Sequence, residues 1–90
     1  MVRDLIWTNR ALKRLDDIAD FIARDNPLRA QTFVIELRNK LEVLKTQSLG
    51  RSGRVFGTKE LVLHPNYLAV YRIKANQVQV LTILHTAQNK

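Results

Sequence analysis

The chain contains no cysteine, so neither a disulfide framework nor a thiolate zinc site is open to it. Its two histidines, His64 and His85, have no carboxylates clustered beside them, and no metal or other cofactor is expected. No stretch approaches the roughly 20 apolar residues that cross a bilayer, and the first residues lack the apolar block of a secretion signal. A cytoplasmic protein with no membrane partner is therefore expected. Repeats, long linkers and low-complexity tracts are also missing. The 90 residues suffice for one modest core and not a second, so residues 1–90 are read as a single domain.

Acidic side chains are scarce: 8 Asp and Glu stand against 15 Lys and Arg, a net charge of +7. A field of that sign draws nucleic acid, a nucleoprotein machine or an acidic protein, and it also simply keeps a small domain soluble. Arg51, Arg54 and Lys59 gather around the segment GRSG and are the basic candidates for contact with a target.

Asp4 to Trp7 is a short, apolar-leaning segment, and Thr8 behind it suits the N-cap of a helix running to about Asp25. Leu12, Leu15, Ile18, Ala19 and Ile22 recur along it at helical spacing. Asn26-Pro27 closes that helix and opens a second, which reaches about Thr46 with the stripe Ala30, Phe33, Val34, Leu37, Leu41 and Leu44. The pair predicts a helical hairpin laid over one side of a sheet. Thr46 to Gly57 reads as a loop.

From Arg54 to His85 the sequence reads as three strands separated by the turn pairs Pro65-Asn66 and Ala75-Asn76. With two-residue loops, antiparallel pairing sets Val62 opposite Ala69, Leu61 opposite Val70, Tyr71 opposite Val80 and Val70 opposite Leu81. One face then carries Val62, Tyr67, Ala69, Tyr71, Ile73, Val78, Val80, Thr82 and Leu84. The other carries Leu61, Leu63, Leu68, Val70, Leu81 and Ile83, with Lys59 and Arg72 at one end and His85 near the other. Both faces are apolar, and a single helical hairpin covers one. The other calls for a partner, for the chain's own loops or termini, or for self-association.

The order strand, helix, helix and the phrases GRVFGTKELV, YLAVYRI and VLTILH resemble the RelE/ParE superfamily of toxins from bacterial type II toxin-antitoxin pairs, ParE more closely. The resemblance covers nearly the whole chain. It implies an α+β fold with an N-terminal strand and a two-helix hairpin packed on one face of an antiparallel sheet, whose C-terminal part is a three-stranded meander. It also implies that the Tyr67, Ala69 and Tyr71 side meets the helices. Its functional content is growth inhibition, plasmid stabilisation and neutralisation by a cognate antitoxin, through which alone operator DNA is reached.

RelE-like members are ribosome-dependent nucleases that cut mRNA, whereas ParE-like members act on DNA gyrase. RNA cleavage needs a base for the 2′-hydroxyl proton, cations for the phosphorane and a donor for the leaving oxygen. By resemblance Lys59 matches one RelE lysine, but the second basic position falls on Leu61, the arginine after the strand's first tyrosine on Leu68, and the arginine after the last strand on Thr86. Leucine offers neither charge nor a hydrogen bond, so gyrase inhibition without catalysis is the first expectation. The antitoxin is then expected on Leu61, Leu63, Leu68, Val70, Arg72, Leu81 and Ile83, and a Leu68→Glu exchange to abolish its binding in a domain that still folds. The alternatives are an mRNA interferase using Lys59, Arg72 and His85 on ribosome-bound mRNA, or a degenerate toxin kept only for antitoxin binding and co-repression. The tail from Thr86 to Lys90 is shorter than ParE-like chains usually carry.

Overall fold

The computed structural model describes residues 2–47 and 50–85. In chain order these form β1 (Asp4–Trp7), α1 (Asn9–Ala23), α2 (Pro27–Glu42), a 3-10 turn (Val43–Lys45), β2 (Arg51–Ser52), β3 (Lys59–His64), β4 (Tyr67–Lys74) and β5 (Gln77–His85). The strands make one sheet in the order β1-β5-β4-β3-β2. The meander β3-β4-β5 forms its centre, and β1 joins β5 in parallel at one edge, so the sheet is mixed. At the other edge the two-residue β2 pairs with β3 inside what reads from sequence as a loop. The expectations for Thr86 and the tail to Lys90 fall outside the described residues.

Local chemistry sets the helix boundaries. The Thr8 hydroxyl accepts the Ala11 N–H and caps α1, and the Asn26 side chain accepts the Arg29 N–H and caps α2, with Pro27 in the first turn where no amide donor is required. Each cap is worth about 1 kcal/mol. The α1 stripe differs from the expected one by one position. Ala11 is fully buried whereas Leu12 is 40% exposed, because the small side chain lets α1 lie close against the sheet.

Ala11, Leu15, Phe33, Leu37, Leu41 and Leu44 from the helical layer pack on Tyr67, Ala69, Tyr71, Val78 and Val80 from the sheet. The Tyr67, Ala69 and Tyr71 side does meet the helices. Truncating a fully buried member such as Leu37 to Ala costs about 2–5 kcal/mol.

Two β-bulges revise the expected register. Both turns are tight, with His64 opposite Tyr67 and Lys74 opposite Gln77, and the Tyr71 and Val80 pair is as expected. Between Val62 and His64, however, Leu63 is an additional residue, so Val62 faces Leu68, Leu61 faces Ala69 and Glu60 faces Val70. Between Tyr71 and Val70, Leu81 is additional on β5, so Val70 faces Thr82, Ala69 faces Ile83 and Tyr67 faces His85. A one-residue slip exchanges faces. Leu61, Leu63, Ile83 and His85 thereby turn to the helical side, and Val62, Thr82 and Leu84 to the outer side.

The helical layer captures carbonyl oxygens at both bulges. Lys40 Nζ donates to the Leu63 carbonyl. The Thr8 hydroxyl lies 2.9 Å from the Val80 carbonyl oxygen and 3.0 Å from that of Leu81, donating between them. The Val80 carbonyl also accepts the Thr8 N–H at 3.2 Å. A buried carbonyl that a bulge leaves without any partner costs about 1–3 kcal/mol.

Candidate functional site

The seven residues expected to bind a partner do not share a surface. Leu63 and Ile83 are each only 1% exposed and belong to the core, and Leu61 packs against that core from the helical side. Leu81 is the half-buried bulge residue. Leu68, Val70 and Arg72 remain on the outer side, where the register adds Val62, Thr82 and Leu84. The outer side therefore carries the apolar residues Val62, Leu68, Val70 and Leu84, with the buried Glu60 and Thr82 flanking Val70, and ends at Arg72, whose Nε donates to Gln79 Oε1 at 2.6 Å. Within it Val62 is 57% exposed, while Leu68 is only 4% exposed. Leu68→Glu would consequently bury a charge, so the structure contradicts the expectation that this variant stays folded.

The candidate catalytic residues are separated as well. Lys59 faces Tyr71 and Arg72 faces Gln79, whereas His85 faces Tyr67. Tyr71 and Tyr67 are four residues apart on β4, roughly 13 Å at strand rise, and Arg72 points to the face opposite His85. No single phosphodiester is within hydrogen-bonding reach of all three side chains in this arrangement.

His85 instead belongs to an aromatic group on the helical side. Its ring meets Tyr67 edge-on at 4.8 Å, Tyr67 meets Phe33 at 5.5 Å, and Phe33 meets His64 at 5.2 Å. The His64 Nδ1, at the end of β3, accepts the Asn66 N–H at 3.2 Å and fixes the turn. Burial raises the Tyr67 hydroxyl pKa above the usual tyrosine value, so the phenol is neutral near pH 7 and does not serve as a base. Beside this pair lies a cleft of about 230 Å³ lined by Arg14, Asp17, Ile18, Phe21, Tyr67, Ile83 and His85. No motif in the sequence announces it, because its walls come from three separate elements.

Arg51, Arg54 and Lys59 all border the β2–β3 connection, but the register turns Arg51 to the outer side with Glu60 and Lys59 to the helical side with Tyr71. Arg51 faces Glu60 and Ser52 faces Lys59 across the two strands. The buried Glu60 carboxylate accepts the Arg54 N–H at 3.3 Å and stands 3.6 Å from the Arg51 guanidinium. Beyond this anchor the loop presents Val55 and Phe56 to solvent, Phe56 fully exposed. The basic candidates Arg51, Arg54 and Lys59 leave this pair out, although the sequence carries its signal: two adjacent apolar residues within an arginine- and glycine-containing loop.

Comparison with known proteins agrees with this architecture. The model of the family described as ParE toxin of the type II toxin-antitoxin system, parDE, matches residues 5–90. The protein Y4kP of Sinorhizobium fredii is 39% identical over 84 residues, covering 91% of this chain and 86% of its own. Toxin RelE2 of Caulobacter vibrioides is 30% identical over 84 residues, covering 93% and 96%. Among solved structures, a chain of the chromosomal ParDE system from P. aeruginosa superposes with a TM-score of 0.85 at 28% identity, covering 93% of this chain and 96% of that one. YafQ from E. coli shares the fold with a TM-score of 0.66 at 12% identity, covering 97% of each chain. The sequence, the sheet order and the helical hairpin together place this chain in the ParE toxin family of type II toxin-antitoxin systems.

Proposed function

We propose that the protein inhibits DNA gyrase by binding it, without catalysis, and that a cognate antitoxin silences it by covering the outer strip of Val62, Leu68, Val70 and Leu84. The observation that carries the non-catalytic reading is the separation of Lys59 and Arg72 from His85 along β4 and across the sheet. Phosphoryl chemistry needs a base and cations held around the same reacting atoms. Here the base candidate faces the helices and Arg72 faces away from them.

The apolar strip supports the antitoxin part of the reading. The exposed Val62 with the half-buried Val70 and Leu84 suits an amphipathic segment that adds its own apolar side, and Arg72 at the end of the strip offers a charge to such a segment's carboxylates. A toxin-antitoxin system provides the ParDE structural neighbour, and the YafQ fold is also known in a DinJ-YafQ toxin-antitoxin complex. The second reading, ribosome-dependent mRNA cleavage, draws on the relative named RelE2 and on His85 at the end of β5.

The experiment is induction of the chain without its antitoxin. Gyrase inhibition predicts loss of negative supercoiling and a DNA-damage response with mRNA intact. Prompt codon-spaced mRNA cuts with normal supercoiling would sink the proposal.

A further inference from the structure

The connection from Gly53 to Thr58 is an ordered projection. The Gly53 N–H donates to the Thr58 carbonyl at 2.8 Å, and the Thr58 N–H and hydroxyl both donate to the Val55 carbonyl, at 3.1 and 2.7 Å. Gly53 lies so close to Thr58 that an added Cβ would stand 2.2 Å from its Oγ1. At the base, the buried Glu60 holds the Arg54 N–H and faces the Arg51 guanidinium. The loop is thus tied to the sheet on one side and closed on itself on the other, while its tip, Val55 and Phe56, stands in water.

A fully exposed phenylalanine contributes nothing to this fold, because it removes no apolar surface from water. On an ordered loop it is preorganised for association, since little further entropy is lost when it is gripped. An aromatic residue flanked by arginines also has the composition of an interface hot spot with a charged rim. Resting on the reading of the chain as a target-binding toxin, we propose that Phe56 is the anchor that seats the toxin on its protein target, entering an apolar socket rimmed by carboxylates that face Arg51 and Arg54.

Shape distinguishes this occupant from the antitoxin. A single projecting ring requires a preformed hole, which a folded protein has. A segment that orders on the toxin presents a ridge and needs a groove or strip, such as the one on the outer side of the sheet. Charge supplies the rim: with a net charge of +7 and Arg51 and Arg54 at the base of the loop, an acidic margin both steers encounter and fixes orientation.

The test compares the wild-type chain with Phe56→Ala, Phe56→Leu and, as an exposed apolar control, Leu28→Ala. Four measurements are made: growth arrest on induction, and affinity for purified gyrase, for the purified antitoxin and for a single-stranded oligonucleotide. Phe56→Ala should weaken gyrase binding about 30-fold or more and relieve growth arrest, with Phe56→Leu intermediate and Leu28→Ala unchanged. Antitoxin affinity and the thermal midpoint should stay at wild-type values, because Phe56 is packed against nothing. If wild-type arrests growth without binding gyrase, the gyrase reading fails, and loss of arrest in Phe56→Ala still upholds the anchor. The anchor is overturned if Phe56→Ala binds gyrase and arrests growth like wild type, if it loses antitoxin affinity equally, or if what it loses is binding to a single-stranded oligonucleotide. A wild-type chain that neither arrests growth nor binds gyrase overturns both proposals.

Discussion

The His85 ring meets Tyr67 edge-on, with centroids 4.8 Å apart and planes at 84°, on the side of the sheet that faces the helices. This packing gives His85 a structural reason to be an aromatic heterocycle. His85→Ala is accordingly expected to cost about 1 kcal/mol of stability, the value of such a ring pair. Growth arrest should stay within about threefold of wild type, read as the inducer concentration that halves growth. Removing a general acid or base from a nuclease would instead cost about 10²- to 10⁴-fold.

Val62 is the exposed member of the outer strip and the suitable place to probe it. Val62→Glu should shift the thermal midpoint by no more than about 4 °C, as surface exchanges do. Antitoxin affinity should fall about 30-fold or more by calorimetry if the strip is the docking surface. Leu68→Glu, in contrast, should unfold much of the protein, since it leaves a charge without a partner in a buried position.

Gly50 holds β2 against β3 at a φ of +100°, and a Cβ there would lie 2.3 Å from the Glu60 carbonyl oxygen. Gly50→Ala should therefore lower stability by about 1–3 kcal/mol, measured by denaturant unfolding. The same change should increase amide exchange across the β2–β3 edge.

Burial raises the hydroxyl pKa of both Tyr67 and Tyr71, in Tyr71 against the opposing pull of Arg3. The folded state thus binds these protons more tightly than the unfolded chain. Their contribution to stability is fully present below about pH 10, the ordinary tyrosine pKa, and is lost as pH rises through the raised folded values. Unfolding free energies between pH 8 and 11.5 should show this alkaline loss, and Tyr67→Phe should reduce it.

Helix caps and both tight turns are legible in the sequence, because each is written in local chemistry: Thr8, Asn26-Pro27, Pro65-Asn66 and Ala75-Asn76. Alternation leaves both sheet faces apolar, and it is the family resemblance that implies the Tyr67, Ala69 and Tyr71 side meets the helices. The bulges at Leu63 and Leu81 are not legible. Neither carries a glycine, and what accompanies them is contributed from far away in sequence, by Lys40 and Thr8. Since each bulge exchanges the faces of the residues beyond it, unbroken alternation puts Leu61, Leu63, Ile83 and His85 on the outer side while they belong to the helical one. Phe56 is hard to read from the sequence for a different reason. An apolar residue in a loop has no periodicity to report it, and only the hydrogen bonds of Gly53, Thr58 and Glu60 show that its exposure is built in.

The most direct measurement of the central claim is supercoiling by purified gyrase with the purified toxin added, run beside ribosome-dependent cleavage of an mRNA by the same preparation. The account predicts inhibition of supercoiling that rises with toxin concentration and is reversed by stoichiometric antitoxin, with the mRNA left whole. Unaffected supercoiling together with mRNA cleavage that His85→Ala abolishes would contradict it.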